Sequence, residues 1–142
     1  EDYKSNYIDS PNTPLYPFGH GLSYTTFEYS EIKLSNNKVR ESEILKVSSI
    51  ITNTGEYDGH EVVQLYIHDK VASITRPVKE LKDFKKIFLR KGQSKTVTFE
   101  INSDDLKFYN NGKLMIESGE FEIAISGTSD FEFNKTFNLT LN

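Results

Sequence analysis

Apolar and polar residues alternate along most of the chain. In 96–101 and 120–126 an aliphatic or aromatic residue occupies every second position, and most residues between them are Thr, Glu or Ser. Runs at 45–51, 63–67 and 131–141 follow the same alternation. Because successive side chains of a strand point to opposite faces, a period of two places one face in a core and the other in water. The pattern therefore predicts β-strands.

Two further runs are less regular. The apolar residues of 27–29 and 32–34 have opposite parity, which predicts a bulge or bend near 30–31. In 84–89 two lysines interrupt the apolar residues, as in an edge or corner strand. No stretch of ten or more residues has a helical period, and 103–106 predicts one short helical turn.

Turn-forming residues separate the runs. The Asn-Gly pair at 111–112 supplies the positive φ angles of a tight hairpin. Further turn signals lie at 36–37, 53–55, 58–59, 91–92 and 118–119. About seven short strands with turns every ten to fifteen residues predict an all-β, immunoglobulin-like antiparallel β-sandwich. Since cysteine and tryptophan, the immunoglobulin hallmarks, are both absent, a fibronectin type III-like sandwich fits better.

Residues 1–24 have a different character. Three prolines punctuate a tyrosine-rich segment, and proline forbids a regular central strand. We expect an ordered N-terminal connector at 1–24, wrapped onto the sandwich or onto a neighbouring domain, followed by the sandwich at 25–142. The chain starts with Glu1 and has its single methionine at Met115, which indicates a piece of a longer protein.

Composition narrows the classes of function. The 142 residues suffice for one complete core. A net charge of -4 argues against a nucleic-acid binder, because such proteins carry a basic surface. No run approaches the ~20 apolar residues of a membrane helix, so we expect neither nucleic acid nor a membrane as partner. The absence of cysteine excludes disulfides, thiol nucleophiles and cysteine-ligated metals.

No catalytic or metal-binding motif is recognisable. The histidines lack the spacing of metal ligands, and no Gly-x-Ser-x-Gly motif is present. A glycosidase needs two carboxyl groups held roughly 5–9 Å apart across a cleft, whereas the neighbouring acids here are typical of turns and solvent-facing strand positions. We predict no catalytic residue, no metal and no cofactor. The residues considered are His20, His60, His68, Asp104, Asp105, Glu117, Glu120 and Glu122.

Aromatic and apolar residues of the connector are the candidate interdomain contact. Such residues, exposed together in a proline-rich segment, mark an interface. The motif Arg76–Leu81 follows an apolar strand and is either a fixed loop that offers charge to a neighbouring domain or a solvated turn. The residues predicted at the interface are Tyr16, Pro17, Phe18, Gly19, Gly21, Leu22, Tyr24, Arg76 and Glu80.

Three tyrosines are candidates for sugar binding. Aromatic faces pack on the apolar surfaces of ligands, and Tyr57, Tyr66 and Tyr109 would form a stacking platform if they lay together. The lack of tryptophan, and the demand for aromatic residues in the core and at interfaces, argue against this role.

Six stretches carry a family resemblance: Pro14–Phe27, Asn53–Gly55, Gly59–Tyr66, Arg76–Leu81, Glu117–Phe121 and Ile125–Gly127. In this order, and over nearly the whole chain, they resemble the C-terminal fibronectin type III-like domain of family 3 glycoside hydrolases, which include β-glucosidases and β-xylosidases. The first and fourth stretches are the most specific. The sequence departs from the family pattern at His20, where an aromatic residue such as tyrosine is usual, and at Asp83, where glycine is common.

The resemblance implies an accessory domain of a periplasmic or secreted enzyme that cleaves terminal β-linked sugars with retention. In the family, the nucleophilic aspartate lies in a barrel domain and the acid/base in or near an α/β domain. Those two domains are therefore the implied partners, and the implied role is to brace them. No catalytic residue of the family carries over onto this sequence.

Three alternatives stay open. The chain would be a carbohydrate-binding module, with β-linked oligo- or polysaccharide as partner, if exposed tyrosines lined one sheet. It would be a structural sandwich of a cell-surface array if similar sandwiches neighboured it. An enzyme complete in itself is the weakest alternative, since no catalytic motif is present.

Overall fold

The structure is a computed structural model and describes residues 25–71 and 77–141. These residues form two facing sheets and a small hairpin, so the predicted all-β sandwich is confirmed. The described residues contain eleven strands rather than about seven, because short strands lie at the sheet edges and two more form the separate hairpin. They are β1 (Phe27–Tyr29), β2 (Lys33–Leu34), β3 (Lys38–Arg40), β4 (Leu45–Asn53), β5 (Gly59–Asp69), β6 (Glu80–Leu89), β7 (Ser94–Ile101), β8 (Phe108–Asn110), β9 (Lys113–Met115), β10 (Gly119–Ser126) and β11 (Thr136–Thr140).

Strand β4 lies at the centre of the first sheet, sheet A. Strand β7 pairs with one edge of β4, and β1 and β2 pair in turn with the other edge. Between β1 and β2, the Ile50 N–H donates to Ser30 Oγ (2.8 Å), and the hydroxyl of the buried Ser49 donates to the Ser30 carbonyl (2.9 Å). The predicted irregularity at 30–31 is therefore a break between two strands that share one neighbour.

The second sheet, sheet B, has the order β3-β11-β10-β5-β6. Its neighbours are antiparallel except β3 and β11, which are parallel. A register shift between Leu65 and Tyr66 leaves Lys82 as an extra residue on β6. Strand β6 ends the sheet, as predicted for 84–89, and begins at Glu80, so the Arg76–Leu81 motif ends in a strand rather than in a loop.

The two sheets enclose one hydrophobic core. Alternate residues of β4 and β7 face alternate residues of β5, β10 and β11, and the rings of Phe121 and Phe137 stack with centroids 5.3 Å apart. Burying each large apolar side chain stabilises the fold by roughly 1.5–3 kcal/mol. The large fully buried apolar side chains are those of Leu45, Val47, Ile51, Val63, Leu65, Leu89, Phe99, Ile101, Phe121, Ile123 and Phe137.

The last apolar run does not form the single strand that its alternation predicts. Only Thr136–Thr140 is a strand, with Phe137 and Leu139 in the core. Phe131 and Phe133 lie in the preceding connection and pack on the opposite, outer face of sheet B. The prediction of one strand over 131–141 was wrong, because an alternating pattern continues through a segment that lies over the sheet instead of within it.

Two local predictions are confirmed. Asn102 caps a 3₁₀ turn at Ser103–Leu106: its Oδ1 accepts from the Asp104 N–H (2.9 Å), and the Asp105 carboxylate accepts from the Asn102 N–H (2.9 Å). The Asn-Gly pair at 111–112 has φ angles of 53° and 78° and joins β8 to β9.

Across 25–71 and 77–141, no helix has the length and apolar character needed to cross a bilayer.

Candidate interdomain surface

The described chain enters the sandwich at Thr25, beside a buried asparagine. Asn53 is fully buried at the end of β4, and its side chain makes four hydrogen bonds. Its Oδ1 accepts from Thr25 Oγ1 (2.6 Å) and from the Gly55 N–H (3.0 Å). Its Nδ2 donates to the carbonyls of Tyr57 (2.8 Å) and Leu89 (3.0 Å). The burial of this polar group is tolerated because its hydrogen bonds are made within the chain.

Backbone contacts extend this network to the β6–β7 turn. The Asn53 N–H donates to the Gln93 carbonyl (2.9 Å), and the Gly92 N–H donates to the Asn53 carbonyl (3.0 Å). A Cβ at Gly55 would lie 2.1 Å from Thr25 Oγ1, so this position requires glycine. The start of β1, the β4–β5 loop and the β6–β7 turn are therefore joined at one end of the sandwich, called here the Asn53 end.

Of the predicted interdomain residues, Glu80 alone lies within the described residues. It begins β6, with a carboxylate oxygen 3.2 Å from Lys82 Nζ. Because Glu80 pairs with Ile67 whereas Leu89 pairs with Gly59, Glu80 is remote from the Asn53 end. The other predicted residues, Tyr16, Pro17, Phe18, Gly19, Gly21, Leu22, Tyr24 and Arg76, lie outside the described residues. Their interdomain role stays a prediction.

The three candidate sugar-binding tyrosines do not lie together. Tyr57 is exposed in the β4–β5 loop, at the Asn53 end. Tyr109 is exposed in the β8–β9 hairpin, which follows β7 and precedes β10 at the other end of the sandwich. Strand β5, which spans roughly 35 Å, connects the two ends. Tyr66 is buried, and its hydroxyl donates to Gln64 Oε1 (2.5 Å).

The β10–β11 connection covers half of the outer face of sheet B. The Phe131 ring packs 5.0 Å from the Tyr66 ring, and the Phe133 ring stacks 6.2 Å from the His68 ring. The two phenylalanine rings meet edge to face at 5.0 Å. Lys79 Nζ lies 4.3 Å from the centre of the Phe131 ring and donates to the Phe131 carbonyl. Residues of the chain itself therefore cover the outer face over β5 and β10.

The other half of this face, over β5 and β6, is exposed. Phe84 and Phe88 of β6 are 60% and 46% exposed, Leu81 is 49% exposed, and Val62 of β5 is 40% exposed. Val62 pairs with Lys86, which lies between the two phenylalanines in the alternation of β6, so these side chains share the outer face. We call the four apolar side chains the phenylalanine face: Val62, Leu81, Phe84 and Phe88.

The edge of β6 carries a lysine that turns inward. Lys85 pairs with the core residue Val63 and places its Nζ 2.5 Å from the Thr98 carbonyl oxygen and 5.3 Å from the centre of the Phe99 ring. A charged side chain turned inward on an edge strand opposes pairing with a further strand. This edge is therefore protected, although the adjoining face is apolar.

A partly buried polar contact links the two sheets. The Tyr29 hydroxyl of β1 donates to the Glu61 carboxylate of β5 (2.9 Å), which also accepts from the Val62 N–H (3.1 Å). Burial raises the pKa of Glu61 to about 7, and these two donors only partly oppose the shift. Burial also raises the pKa of Tyr29 well above its ordinary value, and the negative charge of Glu61 adds to that effect. A Cβ at Gly127 would lie 2.5 Å from Glu61 Oε2, so glycine makes room for the pair.

The two described histidines, and two of the acids considered as candidates, have structural partners. His68 Nδ1 lies 2.9 Å from Glu122 Oε1, and Lys70 Nζ lies 3.2 Å from Glu120 Oε1. The His60 ring packs 4.9 Å from the Phe88 ring. In the part of the chain that the structure describes, no group of three or more His, Cys, Asp or Glu side chains is arranged to hold a metal ion.

Sequence reasoning missed two of these features. Glu61 has the same parity as Val63, and this parity alone signals an acid that faces inward. The parity shared by Phe84 and Phe88 signals a common face, but whether that face is covered depends on the path of distant segments. Cross-strand pairing is therefore needed to recognise the phenylalanine face.

Comparison with known proteins identifies the domain. Residues 61–129 match the sequence profile of the fibronectin type III-like domain family. A putative β-xylosidase from Formosa agariphila is 47% identical over 95% of this chain, and a periplasmic β-glucosidase from Salmonella typhimurium is 47% identical over 87% of it. The solved structure of a β-glucosidase from Erythrobacter marinus superposes on 96% of the chain with a TM-score of 0.77 and 39% identity.

The matched segment is a small part of each relative. The chain covers 18% of the Formosa protein, 16% of the Salmonella protein and 18% of the Erythrobacter chain. The predicted family is confirmed: this chain carries a fibronectin type III-like domain and is similar over most of its length to family 3 β-glucosidases and β-xylosidases. It corresponds to an accessory domain of such enzymes.

Proposed function

We propose that this chain braces the catalytic domains of an enzyme that hydrolyses terminal β-linked sugars, of the β-glucosidase or β-xylosidase type. One observation carries the proposal. Similarity extends over 95% of the chain to a protein of which the chain covers 18%, so the likeness is to one part of a larger enzyme, and the fibronectin type III-like match at 61–129 supports an accessory role for that part. The acids considered as catalytic candidates fit this role, because Asp105 caps a turn and Glu122 pairs with His68.

The partners are a barrel domain and an α/β domain of the same polypeptide. The connector at 1–24 and the residues Arg76 and Glu80 are the predicted contacts. The Asn53 network supports this arrangement, because it fixes Thr25, the residue that follows the connector, at one end of the sandwich. A periplasmic or secreted location is supported by the name of the Salmonella relative.

Activity assays on three proteins test the proposal. The full polypeptide should turn over aryl β-glucosides or aryl β-xylosides, and the 142-residue chain alone should not. The polypeptide without this chain should inactivate at a lower temperature, because it loses the surface that braces it. Turnover by the chain alone, or unchanged heat inactivation after its removal, would contradict the bracing role.

A single substitution addresses the predicted connector contact. Phe18→Ala in the full polypeptide should lower the temperature of inactivation, since an aromatic side chain is removed from the interface. The same substitution in the 142-residue chain alone should change its thermal unfolding much less. Equal effects in the two proteins would place Phe18 in the sandwich itself and not at a contact between domains.

Calorimetric titration of the chain with soluble β-glucans and xylans tests the carbohydrate-binding alternative. We expect no saturable heat at millimolar oligosaccharide, because Tyr57 and Tyr109 lie at opposite ends of the sandwich and Tyr66 is buried. Saturable binding that is lost in Tyr57→Ala or Tyr109→Ala would instead make the chain a substrate-targeting module.

A further inference from the structure

We propose that the phenylalanine face, with Lys86 at its centre, is the surface that packs against an apolar patch bordered by carboxylates on a neighbouring domain of the same polypeptide. This inference rests on the proposed function, because it names the surface through which bracing would occur. It concerns residues that the sequence alone did not connect with an interface.

The exposure of this face differs from that of the outer face of sheet A. Single exposed apolar residues are normal in proteins, but adjacent ones on a sheet face mark interaction sites. Phe84, Phe88, Leu81 and Val62 are each at least 40% exposed and lie on two paired strands. The outer faces of β4 and β7, by contrast, consist mainly of Lys, Ser and Thr, with Ile50 as one exposed aliphatic residue.

The phenylalanine face also has the composition of an interface centre. Aromatic side chains are enriched there because they supply a large contact area and lose little conformational freedom. The chain itself shows how this sheet accepts such a cover, since Phe131 and Phe133 pack on Tyr66 and His68 of the adjoining half. A partner would extend the same packing from β5 onto β6.

The partner binds through side chains rather than by adding a strand. The inward-turned Lys85 and the extra residue Lys82 interrupt the hydrogen-bonding edge of β6. The phenylalanine face, which is perpendicular to that edge, has no such obstacle. An apolar side-chain surface is therefore the complement that fits.

The positive charge around β6 indicates which charged groups the partner surface should carry. Residues 77–97 contain seven Lys or Arg and two acidic residues, which gives this segment a net charge of +5. Because the whole chain has a net charge of -4, the other residues together carry a charge of -9. Lys86 stands between Phe84 and Phe88 on the exposed strand. Complementary charge favours a partner that presents carboxylates around an apolar centre.

The same charge argues against a second copy of this chain as the partner on this face. In a two-fold symmetric dimer each surface meets its own copy, so the basic β6 strands would be brought together. Like charges placed opposite each other disfavour such a complex. A neighbouring domain with acidic groups avoids this repulsion.

The position of the face suits a domain of the same polypeptide. The face begins at Phe88, which pairs with His60 close to the Asn53 end, and it extends along β6 to Leu81, next to Glu80. A domain that packs on the Asn53 end and along β6 would cover this face. It would then contact both Thr25 and Glu80, which lie at opposite ends of the sandwich.

Hydroxyl-radical footprinting measures the predicted cover directly. Oxidation of Phe84 and Phe88 should be at least threefold slower in the full polypeptide than in the 142-residue chain. Ile50, which is 43% exposed on sheet A, is the matched control and should oxidise at equal rates in both proteins. Equal rates for Phe84 and Phe88 in the two proteins would overturn the proposal.

Variants of the full polypeptide give the second measurement. Phe84→Ser with Phe88→Ser, or Lys86→Glu alone, should lower the temperature at which the sandwich unfolds, whereas Ile50→Ser should not. Equal effects of the phenylalanine variant and of Ile50→Ser would overturn the proposal. So would protection of the face by concentration-dependent dimerisation of the chain or by added soluble β-glucan.

Failure of the interface and failure of the proposed function are distinguishable. Aryl β-glycoside turnover by the full polypeptide reports the proposed function, and footprinting reports the interface independently of turnover. An active polypeptide with fully reactive Phe84 and Phe88 would keep the proposed enzyme type and refute this interface.

Discussion

The two halves of the outer face of sheet B differ in whether residues of the chain itself cover them. Over β5 and β10, Phe131 and Phe133 from the following connection pack on Tyr66 and His68. Over β5 and β6, Phe84 and Phe88 are about half exposed. The same sheet therefore supports one apolar region that the chain covers and one that it leaves uncovered. The difference separates residues that stabilise the domain itself from residues available to a partner.

The first prediction concerns the self-contained Asn53 network and has the largest expected effect. Asn53→Ala removes four side-chain hydrogen bonds and leaves the buried Leu89 carbonyl without one of its donors. We expect the free energy of unfolding to fall by about 3 kcal/mol, measured by urea denaturation of the chain. Asn36→Ala is the control, because Asn36 is an exposed turn residue with a contact to the Lys38 N–H, and it should cost less than about 1 kcal/mol. Equal losses would contradict a special role of Asn53.

The second prediction concerns the pH dependence of stability. The pKa of Glu61 is about 7 in the folded chain against 4.5 for the ordinary carboxyl, so the folded state binds more protons between these values. The resulting stabilisation is fully present below pH 4.5 and is lost as the pH rises through 7. Between pH 5 and pH 8 we expect the wild-type chain to lose about 2 kcal/mol relative to Glu61→Gln, which keeps an acceptor for Tyr29 but has no charge. Parallel stability curves for the two proteins would refute this pKa.

The third prediction compares the two halves of the sheet face with the same substitution. Phe131→Ala removes a ring that packs on Tyr66, Phe133 and Lys79, and it should lower the free energy of unfolding by about 1.5 kcal/mol. Phe84→Ala removes a ring that is 60% exposed and should cost less than about 0.5 kcal/mol. Thermal unfolding of the 142-residue chain measures both values. A larger loss at Phe84 would reverse the distinction between the two halves.

The fourth prediction concerns a variant in which both aromatic residues of the phenylalanine face are made polar. In the 142-residue chain, Phe84→Ser with Phe88→Ser should change the free energy of unfolding by no more than about 1 kcal/mol, since only the ring contact of Phe88 with His60 is lost. A loss of several kcal/mol would show that these rings stabilise the sandwich itself.

Much of the fold follows from local sequence pattern. A period of two predicts the strands around Val97, Phe121 and Val63, because each has one face in the core. The Asn-Gly turn at 111–112 is likewise determined locally, by the φ angles that the two residues adopt. Alternation failed at Phe131 and Phe133, since whether an apolar residue lies within a sheet or over it depends on distant contacts.

The candidate surfaces were less predictable. Sequence reasoning proposed Tyr57, Tyr66 and Tyr109 as one platform, but strand direction places Tyr57 and Tyr109 at opposite ends of the sandwich. It treated Asn-Thr-Gly at 53–55 as a turn signal, although Asn53 proves to be a buried residue with four side-chain hydrogen bonds. Both results depend on pairing between residues far apart in the chain, which a single sequence does not reveal.

Differential scanning calorimetry tests most directly whether this domain braces a larger enzyme. The unfolding transition of the sandwich should be measured in the 142-residue chain and in the full polypeptide under the same conditions. We predict a transition several degrees higher in the full polypeptide, and a return to the value of the chain alone in Phe84→Ser with Phe88→Ser. A transition at the same temperature in the wild-type chain and the full polypeptide would contradict bracing.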